Sequence, residues 1–260
     1  MIKKITIIGS GNVATILSKV FVNKGFSINQ VFSKSKINAE ILIKKLVCNQ
    51  QIRATDCIAE LDDTSDIYIV CVKDDAITTV VNQFLFKDKL IVHTSGSVEI
   101  NVFKEFNQFG VFYPLQTFSK DNEIDFINTP FCIEGNNKET TQLLMEFAKI
   151  ISTKVFELNS KQRNLVHLAA VFACNFSNYM YAIAEEITTK NNIDFDILKP
   201  LILETAKKIE FQSPKETQTG PAKRKDINTI QNHLQLLDGN DGIKEIYQLI
   251  SKSIEQSNLK

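Results

Sequence analysis

The sequence predicts an α/β fold, a doubly wound sheet, followed by an all-α domain, and three observations carry that expectation. The chain opens with a mostly β-branched run, Ile2 to Ile8, that passes directly into Gly9-Ser10-Gly11-Asn12-Val13-Ala14 and an amphipathic stretch to about Lys24. Short apolar runs then alternate with helical periodicity as far as Leu158, the pattern of strands joined by helical crossovers. From about Ser160 onward the periodicity is helical alone. The change of pattern places one domain over residues 1–158 and a helical one over 159–260.

The opening turn has a specific physics. Gly9 lets the chain reverse at the strand end without a Cβ clash, Gly11 lets a pyrophosphate approach the backbone, and Ala14 lets the helix pack close on the strand. The helix start adds free N–H groups and the positive end of a dipole. Strand, turn and helix in this order predict a Rossmann unit that binds a dinucleotide through Gly9, Ser10, Gly11, Asn12, Val13 and Ala14; the competing reading is a plain strand-to-helix turn.

Composition narrows the partners. Thirty basic residues balance thirty acidic ones, so no global field draws the chain to nucleic acid or to an anionic membrane, and a small molecule is the expected partner. Hydrophobic residues make up 43% of the chain, enough for a real core. The five cysteines are odd in number and scattered, with neither a CxxC pair nor zinc spacing, and read as buried thiols in a reducing compartment. The N-terminus has too short an apolar run for a signal peptide, so the expected location is cytoplasmic. Leu165 to Ala184 is the one apolar stretch of membrane length, but His167, Asn175, Ser177 and Asn178 interrupt it, which predicts a helix of a soluble protein.

Taken in order, a second strand over Ile28 to Phe32 ends in Ser33-Lys34-Ser35. A Rossmann unit specific for NAD places an Asp or Glu here to bind the ribose hydroxyls. Two hydroxyls and a lysine suit a 2′-phosphate instead, so NADP (NADPH) is the expected cofactor. Asn38 to Cys48 reads as a helix, Ile52 to Thr55 as a strand and Cys57 to Leu61 as a partial helix. Ile67 to Val72 is apolar throughout, as a strand covered on both faces requires. Its end, Val72-Lys73-Asp74, should border the cofactor and lead into a helix over Ile77 to Phe84 capped by an aspartate.

Leu90 to Val92 predicts a fifth strand. The following His93-Thr94-Ser95-Gly96-Ser97 offers the hydroxyls of Thr94 and Ser95 and the glycine Gly96 to a nicotinamide or polar substrate, or equally forms a capped turn before a helix over Val98 to Phe106. Gly110 to Phe118 reads as a strand entering a proline-stiffened loop, with Gln116 on a pocket wall or on a surface turn. Phe131 to Glu134, a helix from Lys138 to Ile151 and a strand from Lys154 to Leu158 close the pattern, with right-handed crossovers. The helical half is expected as Lys161 to Thr189, Phe195 to Phe211, Lys223 to Leu237 and Gly242 to Gln256, with an irregular link over Gln212 to Ala222.

These motifs together resemble the superfamily in which a Rossmann domain precedes a helical one: pyrroline-5-carboxylate reductase, 6-phosphogluconate and 3-hydroxyisobutyrate dehydrogenases, and ketopantoate reductase. Within it the chain is most similar to bacterial Rossmann-like NADP oxidoreductases with a C-terminal helical domain of unknown function. The resemblance spans essentially the whole chain. It rests on Gly9 to Ala14, His93 to Ser97, Tyr113 to Phe118, His167 with Asn175, and Thr219-Gly220-Pro221-Ala222 with Arg224 and Asp226. It implies an N-terminal NADP domain, a helical domain that forms a homodimer, and a substrate cleft between the two, but no particular substrate. Better-known members carry a lysine four residues before an asparagine; here that position, four before Asn175, is Val171, so lysine catalysis does not carry over.

Hydride transfer needs a proton donor or acceptor beside the reacting heteroatom. His167 suits that role because imidazole titrates near neutrality, and the Asn175 amide could orient substrate; alternatively both are satisfied polar groups in a helix bundle. Arg163, one turn earlier, reads as a carboxylate clamp or, more simply, as an exposed helix charge. Thr219, Gly220 and Arg224 could receive an anionic substrate, because three cations at Lys223-Arg224-Lys225 oppose the dipole of a helix starting there; the same residues also read as a solvated helix start. HExxH, GxSxG and a Walker lysine are absent, and no metal site is motivated. Two functions remain: an oxidoreductase moving hydride between NADP(H) and a small carbonyl, imine or hydroxy acid, or a non-catalytic NADP(H)-binding sensor or scaffold.

Overall fold

The computed structural model describes residues 2–47, 50–118 and 126–257. The chain divides into two compact units, Met1–Cys174 and Asn175–Lys260.

Among its described residues the first unit holds eight strands: β1 (Lys4–Ile8), β2 (Ser27–Phe32), β3 (Arg53–Thr55), β4 (Ile67–Val70), β5 (Leu90–His93), β6 (Gln108–Pro114), β7 (Phe131–Gly135) and β8 (Val155–Glu157). Their order across the sheet is β3-β2-β1-β4-β5-β6-β7-β8. Strands β3 to β6 in that order run parallel, as the alternating sequence predicts. The link from β6 to β7 departs from the pattern, because β7 pairs antiparallel to β6. The stretch between them has no crossover helix among the described residues, and without one the chain turns back rather than returning in parallel.

Helices α1 (Asn12–Asn23), α2 (Lys36–Lys44), α3 (Asp74–Val81) and α4 (Lys138–Lys149) cover the sheet. Alternate side chains of each central strand enter different cores. Ile67 and Ile69 join the cluster around Phe21 and Phe147, whereas Tyr68 and Val70 join the one around Phe84 and Phe103. Phe21 stacks on Phe147 at 5.4 Å and meets Phe26 edge-on at 6.0 Å; truncating such a ring to alanine costs about 3–5 kcal/mol.

Several element boundaries differ from the sequence reading. The helix after β4 begins at Asp74 with Lys73 as N-cap and no side-chain cap, so the aspartates occupy its first turn, where they complement the dipole. The helix expected over Val98 to Phe106 is a short 3₁₀ turn, Ile100–Phe103. The helix expected over Asn38 to Cys48 spans Lys36–Lys44 and stops at a C-cap on Lys45, short of Cys48, which itself lies outside the described residues. Cys71 and Cys132 are buried, but Cys57 and Cys174 are exposed thiols, so burial is not general to the cysteines; Cys48 lies outside the described residues.

Helix α5 (Ser160–Ala170) continues through a π-helical turn, Val171–Phe176, into α6 (Ser177–Lys190). The first unit therefore runs beyond its last strand. Its extension has a cause in Arg163 of α5, which is buried against Glu134 of β7. The π turn interrupts the 3.6-residue spacing by which 167, 171, 175 and 178 would share one helical face.

The second unit comprises α6, a 3₁₀ turn (Phe195–Leu198), α7 (Lys199–Lys208), the one-turn helices α8 (Pro214–Thr217) and α9 (Pro221–Arg224), α10 (Ile227–Leu236) and α11 (Asp241–Ser257). The third expected helix is broken. Lys225 adopts φ 57°, and Asp226 caps α10 by accepting from Thr229 N. Lys223 and Arg224 thus end a turn rather than start a helix, where cations favour the dipole, and the electrostatic argument for an anion site at that place falls away. No helix among the described residues is long and apolar enough to cross a membrane.

Candidate functional site

The carboxyl ends of the parallel strands gather the first unit's polar motifs, the place where open α/β sheets bind ligands. Gly9 follows β1 with φ +123°, and a Cβ there would stand 2.4 Å from Cys71 O. Only glycine fits. A Cβ on Gly11 would meet nothing within 4 Å, so the turn has open space over it. Gly9 N donates to Phe32 O at 2.8 Å, and the first hydrogen bond of α1 is donated by Thr15 N to Gly11 O at 3.0 Å, so the N–H groups at the start of the helix face the turn's open side, where a ligand can take them. Asn12 Nδ2 donates to Phe118 O at 2.9 Å, tying the loop after β6 to the start of α1. Val13 is half-buried and Ala14 fully buried, as close packing of α1 requires.

Ser33, buried at the end of β2, shares a hydrogen bond with Ser10 (Oγ to Oγ, 2.8 Å). Lys34 is exposed, and Ser35 is the N-cap of α2 with no side-chain cap bond. Two hydroxyls, a lysine and a helix start therefore meet at one strand end. Open glycine turn and cationic strand end both fit a phosphorylated dinucleotide.

Across the sheet, Val72 lies 3.4 Å from the Cβ position of Gly9, and Lys73 is exposed. Asp74 accepts from Ser97 Oγ. Much of the hydroxyl chemistry expected after β5 is used within the turn itself: Ser95 Oγ accepts from Ser97 N and Val98 N, both at 3.1 Å, and Thr94 N donates to Val70 O. Gln116 Oε1 likewise accepts from Thr117 N at 2.9 Å.

Gly96 is where three segments converge. A Cβ there would stand 2.7 Å from His167 Nδ1 and 2.9 Å from Tyr113 Cζ. His167, half-buried on α5, shares a 3.1 Å hydrogen bond with Tyr113 Oη through Nδ1. Burial, followed by the nearby Cys132 and Asp74, pushes the Tyr113 phenol up to about 12. With its amide turned so that nitrogen donates, Asn164 reaches Ser97 O at 3.0 Å and Gly96 O at 3.3 Å.

One turn before His167, Arg163 is fully buried and donates to Glu134, Val98 O and Ser160 Oγ. It is neither an exposed helix charge nor free to clamp a substrate carboxylate. Glu134 also accepts from Ser160 N at 2.9 Å and Ser160 Oγ at 2.8 Å. This ion pair pins α5 to β7 and so places His167.

Asn175, the first residue of the second unit, is exposed on the π-helical turn Val171–Phe176. In that unit Thr219 and Gly220 line an apolar cavity of about 270 Å³ with Met180, Ile246 and Ile250, and Arg224 is exposed. Among the described residues no group of three or more His, Cys, Asp or Glu could hold a metal ion.

The chain is 41% identical to a Bacteroides fragilis protein assigned as an NADP oxidoreductase (BF3122), with 98% of each chain covered and a TM-score of 0.89. It belongs to this NADP oxidoreductase family. Residues 4–96 match the family described as NADP oxidoreductase, coenzyme F420-dependent, and residues 129–254 match a domain of unknown function. The oxidoreductase fold is also shared by 1-pyrroline-5-carboxylate reductase from Streptococcus pyogenes, at 16% identity, 97% and 98% coverage and TM-score 0.61. An imine reductase from Streptomyces aurantiacus shares it at 11% identity, 97% and 96% coverage and TM-score 0.67. No curated protein matches the chain. The cofactor of this family member is NADP(H).

Sequence reasoning named Gly9 to Ala14, Ser33 to Ser35, Gly96 and His167, but not Tyr113 as His167's partner. The available signal was the polar-aromatic stretch beginning at Tyr113, whose strand lies next to β5 only in the assembled sheet.

Proposed function

We propose that this oxidoreductase moves hydride between NADP(H) and a small carbonyl, imine or hydroxy acid, reacting beside Gly96, Tyr113 and His167. The observation that carries the reading is the Tyr113–His167 hydrogen bond over Gly96, at the same sheet edge as the open glycine turn. A pure dinucleotide sensor has no need of a proton-transfer pair there, which favours catalysis over the sensor or scaffold.

When bound, NADPH supplies the hydride. The chain's own residues do the rest. The turn from Gly9 to Ala14 holds the pyrophosphate, with Gly9 supplying the close backbone approach and the N–H groups after it the hydrogen bonds, and Ser33, Lys34 and Ser35 hold the 2′-phosphate. Val72, Lys73, Asp74, Thr94, Ser95 and Gly96 border the cofactor along the strand ends. His167 belongs to the proton-transfer machinery. The helical unit pairs with a second copy, a reading supported by the exposure of Leu201, Leu203 and Phe211 beyond what a solvated surface favours. Light scattering tests the pairing, and a monomeric mass refutes it.

The functional test has two steps. Thermal unfolding with NADPH, NADP, NADH and NAD should show stabilisation by the phosphorylated pair, since a ligand of the native state raises the midpoint by mass action. NADPH oxidation against keto acids, aldehydes and imines should then fall in His167→Ala; equal turnover would reject the role of His167.

A further inference from the structure

We propose that Tyr113 is the residue that hands the proton to the substrate and that His167 recharges it, the two forming one relay across Gly96. The inference rests on the reductase reading and specifies its acid.

Tyr113 occupies the penultimate position of β6, whose neighbours on either side are β5 and β7. Its hydroxyl touches His167 Nδ1, and the ring edges meet at 6.1 Å between centroids and 72° between planes. The frame around the pair is fixed at three points. Tyr113 is in register with Cys132 of β7, Arg163 binds α5 to Glu134 of the same strand, and Asn164 binds α5 to the carbonyls of Gly96 and Ser97. The absent side chain of Gly96 leaves the room the two rings occupy. Charged and titratable groups around the phenol are His167 and Arg163 from α5, Cys132 from β7 and Asp74 from α3.

The order of transfer follows from basicity. A phenol held up at about 12 keeps its proton throughout the neutral range, so it is always loaded. The anion formed when a carbonyl accepts hydride is an alkoxide, a stronger base than a phenolate; taking the Tyr113 proton is therefore downhill. Balance is simple. The hydride pair of NADPH becomes the new C–H bond, the Oη–H bond breaks, and an O–H or N–H bond forms on the substrate. The phenolate then takes the Nδ1 proton of His167, the ring accepts one from solvent at Nε2, and proton exchange with solvent returns the ring to its Nδ1–H form, so the net reactants are NADPH, substrate and a solvent proton.

The experiment uses the full chain with Tyr113→Phe, which removes a single oxygen, and His167→Gln. Tyr113→Phe should keep its stabilisation by NADPH and lose about 100- to 10,000-fold in kcat, with KM for NADPH unchanged. His167→Gln should lose less, and added imidazole should restore part of the rate. Without cofactor, ¹⁵N spectra of the ring nitrogens, read against a chain with three histidines in all, should show the His167 signals shifted in Tyr113→Phe. Wild-type kcat in Tyr113→Phe, or unmoved His167 signals, overturns the relay while leaving the reductase standing. No NADPH stabilisation of the wild type removes the reductase and the relay together.

Discussion

Arg163 of α5 and Glu134 of β7 form an ion pair in which the guanidinium is fully buried and the carboxylate nearly so, with side-chain exposures of 0% and 15%. Losing one partner strands a charge away from water, at a cost of about 3–5 kcal/mol. Arg163→Ala should therefore lower the thermal unfolding midpoint sharply. The exposed pair Lys190–Glu186, with side chains 65% and 45% accessible, is worth about 0.3–0.5 kcal/mol at most. Glu186→Ala should leave the midpoint almost unmoved, and comparable losses in the two variants would contradict the assignment.

Gly96→Ala is expected to separate chemistry from cofactor binding. The new methyl would intrude on His167 Nδ1 and Tyr113 Cζ, and displacing reacting groups by about 1 Å costs on the order of 100-fold in rate. Steady-state kinetics should show that loss in kcat with NADPH stabilisation retained. A variant of full activity would show that the pair need not lie over Gly96.

Acid stability should depend on His93. The ring is fully buried, its centroid 5.5 Å from that of Phe103, and burial together with the charge of Arg163 pushes it down to about 3. An unfolded histidine takes its proton below about 6.5, so between that value and 3 only the unfolded state is protonated. Stability is complete above about pH 6.5 and falls as pH drops through this window, by up to about 1.4 kcal/mol per pH unit. Urea unfolding at about pH 7 and about pH 4.5 measures the slope, and His93→Gln should flatten it. An identical slope in the variant would assign the loss to other groups.

Cofactor preference should lie at Lys34 and Ser35. Replacing both by alanine removes a cation and a hydroxyl from the proposed 2′-phosphate contact, each charge-assisted bond being worth about 1.5–3 kcal/mol. Fluorescence titration should show NADPH affinity reduced by at least about tenfold and NADH affinity unchanged. Equal loss for both would place the discriminating contact elsewhere.

Much of the frame follows from local signals. The apolar run at Ile67 to Val70 demands cover on both faces, the turn at Gly9 admits no side chain, and the loss of strands after Glu157 leaves only helices. Boundaries were less legible where a cap or a tertiary contact overrode periodicity. Lys225 in a left-handed conformation and Asp226 as N-cap split one expected helix, and the π turn at Val171–Phe176 bends the spacing of another.

What the sequence by itself determined, then, is the alternation of elements, the glycine turn and the residue types at strand ends, because those depend on near neighbours in the chain. What only the tertiary structure decided is which distant groups meet. Arg163 becomes a buried strut rather than a surface charge, and Tyr113 becomes the partner of His167 although 54 residues separate them. Strand order and helix docking bring such groups together, and neither is encoded in the spacing of residues along a single element.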